Sequence, residues 1–342
     1  MSGVDDSARE PGALHAFVAV DQPVPAKPKL GGIPRRVLPR MVRLAMICAT
    51  VAVLFVTVRK LNLSALGTAF RQARGAPLYL AALLSLANLW CKAVMWRVML
   101  GADRPPSLGR LFRYTVAAFA ASAFTPGRAG ELLRIWLLRR NDGVPYSRLA
   151  GAALSEKLLD GFGLLIFVAP LLWLPSPLQS WARSAVLAVA AAGVGLFVFA
   201  ALAANRFLRD GRVASFLRNI RILRDPRVLA GAMSAAIAAS LLDFAMLWLS
   251  LGACGLGRNF ADTVFVLLVM NVALVVPTTP GNVGALEAAG IVALGLLGVG
   301  RPQALAFVLL YHAVQLGPLF VFTLFNLRMV FGSSPRPQTS AS

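Results

Sequence analysis

Apolar residues run on for about the length of a bilayer crossing at six places: 41–58, 77–100, 151–174, 181–204, 228–251 and 303–331. A helix needs roughly 20 apolar residues to cross the hydrocarbon, so each run predicts one span. Two further stretches, 111–140 and 261–299, are apolar but broken near the middle at Pro126-Gly127 and Pro280-Gly281. Each of these predicts a helical hairpin. Spans and hairpins together account for 41–331, which reads as one membrane domain. Residues 1–40 are rich in proline and end in a basic run from Lys27 to Arg40. That composition cannot bury a core, so a disordered tail is expected there, and another at 332–342. The 41–58 run reads as a retained first span, because no convincing small-residue cleavage site follows it.

The breaks are themselves a repeat. Thr125-Pro126-Gly127-Arg128-Ala129-Gly130 and Thr279-Pro280-Gly281-Asn282-Val283-Gly284 both read TPGxxG, 154 residues apart. Their flanks match at the same offset, 77–100 onto 231–254 and 151–174 onto 305–328. Two repeats, about 41–174 and 181–331, follow from this. A duplicated half-protein in a membrane implies a transporter-like fold with a site between the halves.

Composition agrees: 58% hydrophobic, 14% charged, mean hydropathy +0.72. The net charge of +20 would suggest nucleic acid in a soluble chain. Here its distribution sets orientation instead, and no nucleic-acid partner is expected. Arg206, Arg209, Arg212, Arg218, Arg221, Arg224 and Arg227 crowd the loop 205–230, and Arg134, Arg139, Arg140 and Arg148 crowd 134–148. Arginine-rich short loops stay in the cytoplasm, which places both termini inside. The loop 59–76, with Arg59, Lys60, Arg71 and Arg74, goes against this pattern. For 134–148 and 205–230 to share a side, 111–140 must enter and return on one face as a re-entrant hairpin, whose irregular backbone must be protein-buried or line water. Symmetry makes 261–299 re-entrant too. Three crossings per repeat then invert the second repeat. The expected fold is an all-α polytopic membrane protein with six spans and two re-entrant helical hairpins in an inverted repeat. Cys48, Cys91 and Cys254 lie in or at the end of apolar runs and read as packing residues, with no metal or cofactor implied.

Candidate chemistry gathers at the turns. Thr125 suits an N-cap and Pro126 a first helical position, so a helix is expected to start at Pro126; Thr279 and Pro280 repeat this. Free N–H groups at such a start bind anions, phosphate above all. Gly127, Gly130, Gly281 and Gly284 would let backbone or headgroup approach closely. Arg128, Glu131 and Arg134 share one helix face. Glu156 and Asp160 lie four apart in the third run, with Lys157 beside them. Asp243, Glu287, His312 and Gln315 complete the polar set. Ionisable groups in a span cost about 2.5–3.5 kcal/mol each and normally face a cavity or a partner. Two readings stand: Arg128 or Arg134 pairs with Glu156 or Asp160, or these groups line a cavity used by substrate. His312 reads as a satisfied core histidine, and Lys92 and Arg97 as snorkelling toward the inner end of their span. The inner turn carries bases; the outer has Asn282 and the acid Glu287. That asymmetry fits export of a phosphate-bearing amphiphile.

At these residues the chain resembles a known family. PGRAGELLR (126–134), SEKLLD (155–160) and VPTTPGNVGALEAAG (276–290) are similar to signatures of the lysylphosphatidylglycerol synthase transmembrane-region family, across about 41–331. Pro126, Arg128, Gly130 and Glu131 match the core of the first motif. Asn282 stands where the second commonly has glycine. The resemblance implies a flippase-like integral membrane protein that moves a phospholipid or lipid-linked anion between leaflets of a bacterial inner membrane. The residues expected to bind it are Thr125, Gly127, Arg128, Glu131, Arg134, Glu156, Asp160, Thr279, Gly281 and Glu287. No aminoacyltransferase domain is recognised, and no enzyme activity is expected. The alternatives are an intramembrane lipid transferase using Glu156 or Asp160 as base, and a non-transporting envelope assembly factor.

Overall fold

A computed structural model describes residues 73–101, 106–125, 129–171, 225–257, 259–275 and 284–331, with isolated positions elsewhere. The expected first span at 41–58, nearly all of 181–204 and of the loop 205–224, and both tails lie outside the described residues. So do Pro126, Gly127 and Arg128 of the first turn and Thr279, Pro280 and Gly281 of the second.

Eight helices make up the described part: α1 (Gly75–Leu100), α2 (Leu108–Ser122), α3 (Glu131–Asp142), α4 (Tyr146–Leu171), α5 (Pro226–Ala253), α6 (Phe260–Val275), α7 (Ala285–Leu296) and α8 (Arg301–Phe331). Each matches an apolar run or one limb of a broken one. By length and composition α1, α5 and the 301–326 part of α8 can each cross a membrane. The other long helix, α4, has 26 residues but carries Glu156, Lys157 and Asp160. The limbs are shorter: 15 and 12 residues for α2 and α3, 16 and 12 for α6 and α7. At 1.5 Å per residue, none of the limbs reaches the roughly 30 Å of a hydrocarbon core.

The 154-residue offset survives into structure. Glu131–Asp142 and Ala285–Leu296 are displaced by that interval at both ends. The packing is duplicated with it. The α1–α5 pair forms the most extensive interface; α1 also packs on α2 and α4 as α5 does on α6 and α8. Each hairpin reaches across to the other half, α2 onto α8 and α6 onto α4. Apolar residues on the outside, such as Leu83, Trp248 and Phe325, are exposed, as expected of helices apolar all round.

Local chemistry explains the ends. Asp225 caps α5, accepting from the N–H groups of Arg227 (2.9 Å) and Val228 (3.4 Å), with Pro226 in the first turn. Arg110 binds Asp142 at 2.6 Å, and Asn141 Nδ2 donates to the Tyr114 hydroxyl at 2.8 Å, clamping α2 to α3 at the open end of their hairpin.

The turn differs from expectation. The described helix starts at Glu131, five residues after Pro126, with Gly130 at the N-cap. Thr125 is therefore not the cap of a helix begun by Pro126. Its hydroxyl donates to the Ala121 carbonyl (3.1 Å) and accepts from the Gly130 N–H (2.7 Å). It ties the end of α2 to the start of α3. A Cβ on Gly130 would overlap the backbone of Ala121 and Ser122, so here the sequence needs glycine for close backbone approach. The second turn shows the same late start: α7 begins at Ala285, five residues after Pro280. Asn282, in the second turn, has φ 55°. That is left-handed backbone, which asparagine tolerates better than most side chains.

Gly130→Ala should force the two limbs apart and destabilise the protein by about 1–3 kcal/mol. Thermal melting of the purified protein reads this out; a melting temperature equal to wild type would refute the close-approach role.

Candidate functional site

A ladder of buried charge crosses from α3 to α1. Arg134, from the inward face of α3, pairs with Glu156 of α4, and both side chains are 1% exposed. The Arg134 guanidinium lies 3.9 Å from the ring centroid of the fully buried Trp96, and Trp96 Nε1 donates to Glu156 Oε2 at 2.9 Å. Next, Lys92 of α1 stands 3.9 Å from Glu156 and reaches both oxygens of Asp160, at 2.7 and 2.8 Å. The signs alternate along the series Arg134, Glu156, Lys92, Asp160, so no charge is isolated from an opposite one. Beside it and nearer solvent, Lys157 binds Glu131 at 2.7 Å.

The sequence led to Arg134, Glu156 and Asp160 as interacting groups, and the structure brings them together. Pairing is what it shows for Arg134 with Glu156. Lys92 is a correction. It does not snorkel; it is buried and holds Asp160. Trp96 was missed altogether. The available signal was Asn88, Lys92 and Trp96 at four-residue spacing, one polar face on an otherwise apolar helix. Arg128, Gly127, Thr279 and Gly281 lie outside the described residues.

Beyond the ladder is a cavity of about 220 Å³ between the two halves. It is lined from α1, α2, α4, α5, α6, α7 and α8, near the middle of the long helices. Lys92 and Asp160 reach it; Arg134 and Glu156 are not in its wall. Its other polar residues include Asn88, Asp243, Asn271 and His312. Asn88 Nδ2 donates to the Ala239 carbonyl at 2.8 Å and so joins α1 to α5.

At the second turn, Glu287 folds back on its own helix. Its Oε2 accepts from the Gly284 N–H at 2.5 Å, and its Oε1 lies 3.1 Å from His312 Nδ1. Gly284 has φ 92°, a backbone that favours glycine. A carboxylate of the chain itself thus sits on this helix start, where the sequence suggested an anion site. His312 is satisfied, as expected, and its partner is Glu287.

Among the described residues no group of three or more His, Cys, Asp or Glu side chains could hold a metal ion. Apolar helices around a polar, ion-paired interior and a central cavity define a multi-pass membrane protein. The chain belongs to the family described as lysylphosphatidylglycerol synthase TM region, whose model matches residues 40–323. It is also similar to a UPF0104 membrane protein of Methanothermobacter thermautotrophicus, 29% identical over 121 residues, which are 33% of this chain and 34% of that protein. The match therefore spans about a third of that relative's length. No solved structure matches the chain.

Glu156→Gln leaves Arg134 buried without its carboxylate and should cost about 3–5 kcal/mol. Adding Arg134→Met should recover much of the loss. A double-mutant cycle on thermal stability measures the coupling; effects that add to within about 0.5 kcal/mol would mean the two groups do not act as a pair.

Proposed function

We propose that this protein moves a phospholipid or lipid-linked anion between leaflets of a bacterial inner membrane, in the manner of a flippase. The observation that carries this reading is the polar cavity between two matching halves, inside a bundle whose outer surface is apolar. A lipid headgroup needs such a polar place to cross hydrocarbon, while its chains stay in lipid. The cavity is smaller than the roughly 300–1,000 Å³ of drug-sized pockets, which suits a headgroup and not a whole lipid. The four short limb helices support two re-entrant hairpins, and the duplicated packing supports an inverted repeat, with one hairpin opening to each side.

In this reading Arg128, at the inner turn, holds the headgroup phosphate, and Lys92 with Asp160 forms the cavity floor that the headgroup meets. Arg134 and Glu156 position Lys92. Glu287 keeps the outer turn poor in anion affinity, so release is favoured there. No covalent step is involved: Glu156 and Asp160, each against a cation, are weak candidates for a general base.

Reconstituted protein and labelled lipid test the function. Arg128→Ala should abolish leaflet redistribution at equal membrane abundance, and Arg128→Lys should recover part of it, because lysine is a point charge and not a fork. Full redistribution by Arg128→Ala would favour a non-transporting assembly role. Chemically altered lipid recovered after turnover would favour a transferase.

Orientation has its own test. Single cysteines near 145 and 215 should label from the cytoplasm, and those near 178 and 256 from outside. Labelling at 215 from outside in intact cells would overturn the inverted repeat.

A further inference from the structure

The outer face of α3 has an order of its own. Leu132, Trp136 and Arg140 stand at four-residue spacing, so they form one stripe along the helix. Leu132 is 62% and Trp136 42% exposed, and Arg140 is exposed as well. The opposite face, with Arg134, Leu137, Leu138 and Asn141, is buried, which holds the stripe outward. At its end the Arg140 guanidinium lies 4.9 Å from the Trp136 ring centroid. Beside it, Arg139 lies 5.4 Å from the exposed ring of Tyr146, the first residue of α4. Both acids of α3 are already engaged, Glu131 by Lys157 and Asp142 by Arg110. Among the described residues neither Arg139 nor Arg140 has an acid partner; Arg139 donates to the Gly143 carbonyl at 3.4 Å.

Two arginines in the last turn of a helix suit its macrodipole, and that alone would explain them. It does not explain the two exposed aromatic rings beneath them. Tryptophan and tyrosine collect at the headgroup level of a bilayer. A guanidinium stacked on a ring uses its face, and its N–H groups stay free in the plane to grip a phosphate. Leu132 lies eight residues from Arg140, about 12 Å along the axis toward the turn, at acyl-chain depth. The stripe runs from apolar through aromatic to cationic, which matches in order the chains, glycerol and phosphate of a phospholipid. We infer that the outer face of α3, with Tyr146, binds an anionic phospholipid of the surrounding leaflet. None of these residues lines the central cavity, so the site is separate from it. It depends on the first hairpin opening to a membrane surface, and not on translocation.

The test uses the full chain in phosphatidylcholine nanodiscs that contain phosphatidylglycerol of matched acyl chains. Native mass spectrometry counts the lipids the protein retains. Wild type should hold phosphatidylglycerol about tenfold over its share of the bilayer, the scale expected of two arginines at a membrane surface. Arg139→Gln with Arg140→Gln should remove most of that enrichment at an unchanged melting temperature, and Arg128→Ala should keep it. No enrichment in wild type, or the same enrichment in the double variant, would overturn the inference. Enrichment lost in Arg128→Ala alone would overturn it too, since the lipid would then belong to the headgroup site at the inner turn. If the double variant does not fold, Arg140→Gln decides, because Arg140 has no hydrogen bond among the described residues; it should lower the enrichment by itself, and full enrichment would overturn the inference. Leaflet redistribution of the same lipid is scored separately. Its absence in wild type would overturn translocation and leave the α3 site standing.

Discussion

Everything in the interior depends on the cost of charge away from water. Four charged side chains lie on three helices: Arg134, Glu156 and Lys92 are buried and Asp160 is half-buried, and none could be placed there singly without a large desolvation penalty. Their alternation solves this and also fixes geometry. Glu156 and Asp160 are one turn apart on α4, so the helix that carries them must present that turn to both α3 and α1. The stacked Trp96 then sets the depth at which Arg134 enters. The ladder therefore registers the first hairpin against two long helices.

The hairpins obey a second constraint. Backbone N–H and C=O groups at a turn inside a membrane domain need partners. The first turn meets this with Thr125, which serves the end of one helix and the start of the next. The second meets it with Glu287, which reaches the N–H of Gly284 and also engages α8 through His312. Repeated sequence has thus kept the position of the helix start while changing the group that satisfies it. The side chains differ in charge, so the two turns differ electrostatically.

Between them, the cavity draws on seven of the eight described helices and on both halves. Its floor is ionic through Lys92 and Asp160, and the rest of its polar lining mixes hydroxyl, carboxamide, imidazole and carboxylate groups. Packing around it is apolar: one cluster joins α1 to α5 around Trp96 and Leu111, another joins α5 to α8 around Leu247 and Phe307. Rigid apolar packing on both sides of a polar space is what lets a few hydrogen-bonding groups stay fixed in position.

Much of the helical layout was legible in the chain. The run 77–100 became α1, 228–251 became α5, and the Pro-Gly breaks became paired short helices, because continuous apolar length and helix breakers act locally. The 154-residue offset located α3 and α7 relative to each other for the same reason. What the chain could not show was partnership across space. Lys92 looked like a snorkelling lysine because nothing along α1 reveals that Asp160 lies opposite; only the packing of α1 on α4 does so. Thr125 looked like a helix cap because local propensity favours one after an apolar run, whereas the close approach at Gly130 moved the helix start to Glu131. Cost alone nominated Arg128 or Arg134 to pair with Glu156 or Asp160; the tertiary fold selected Arg134 with Glu156 and kept both out of the cavity wall, with Trp96 filling the space around the guanidinium.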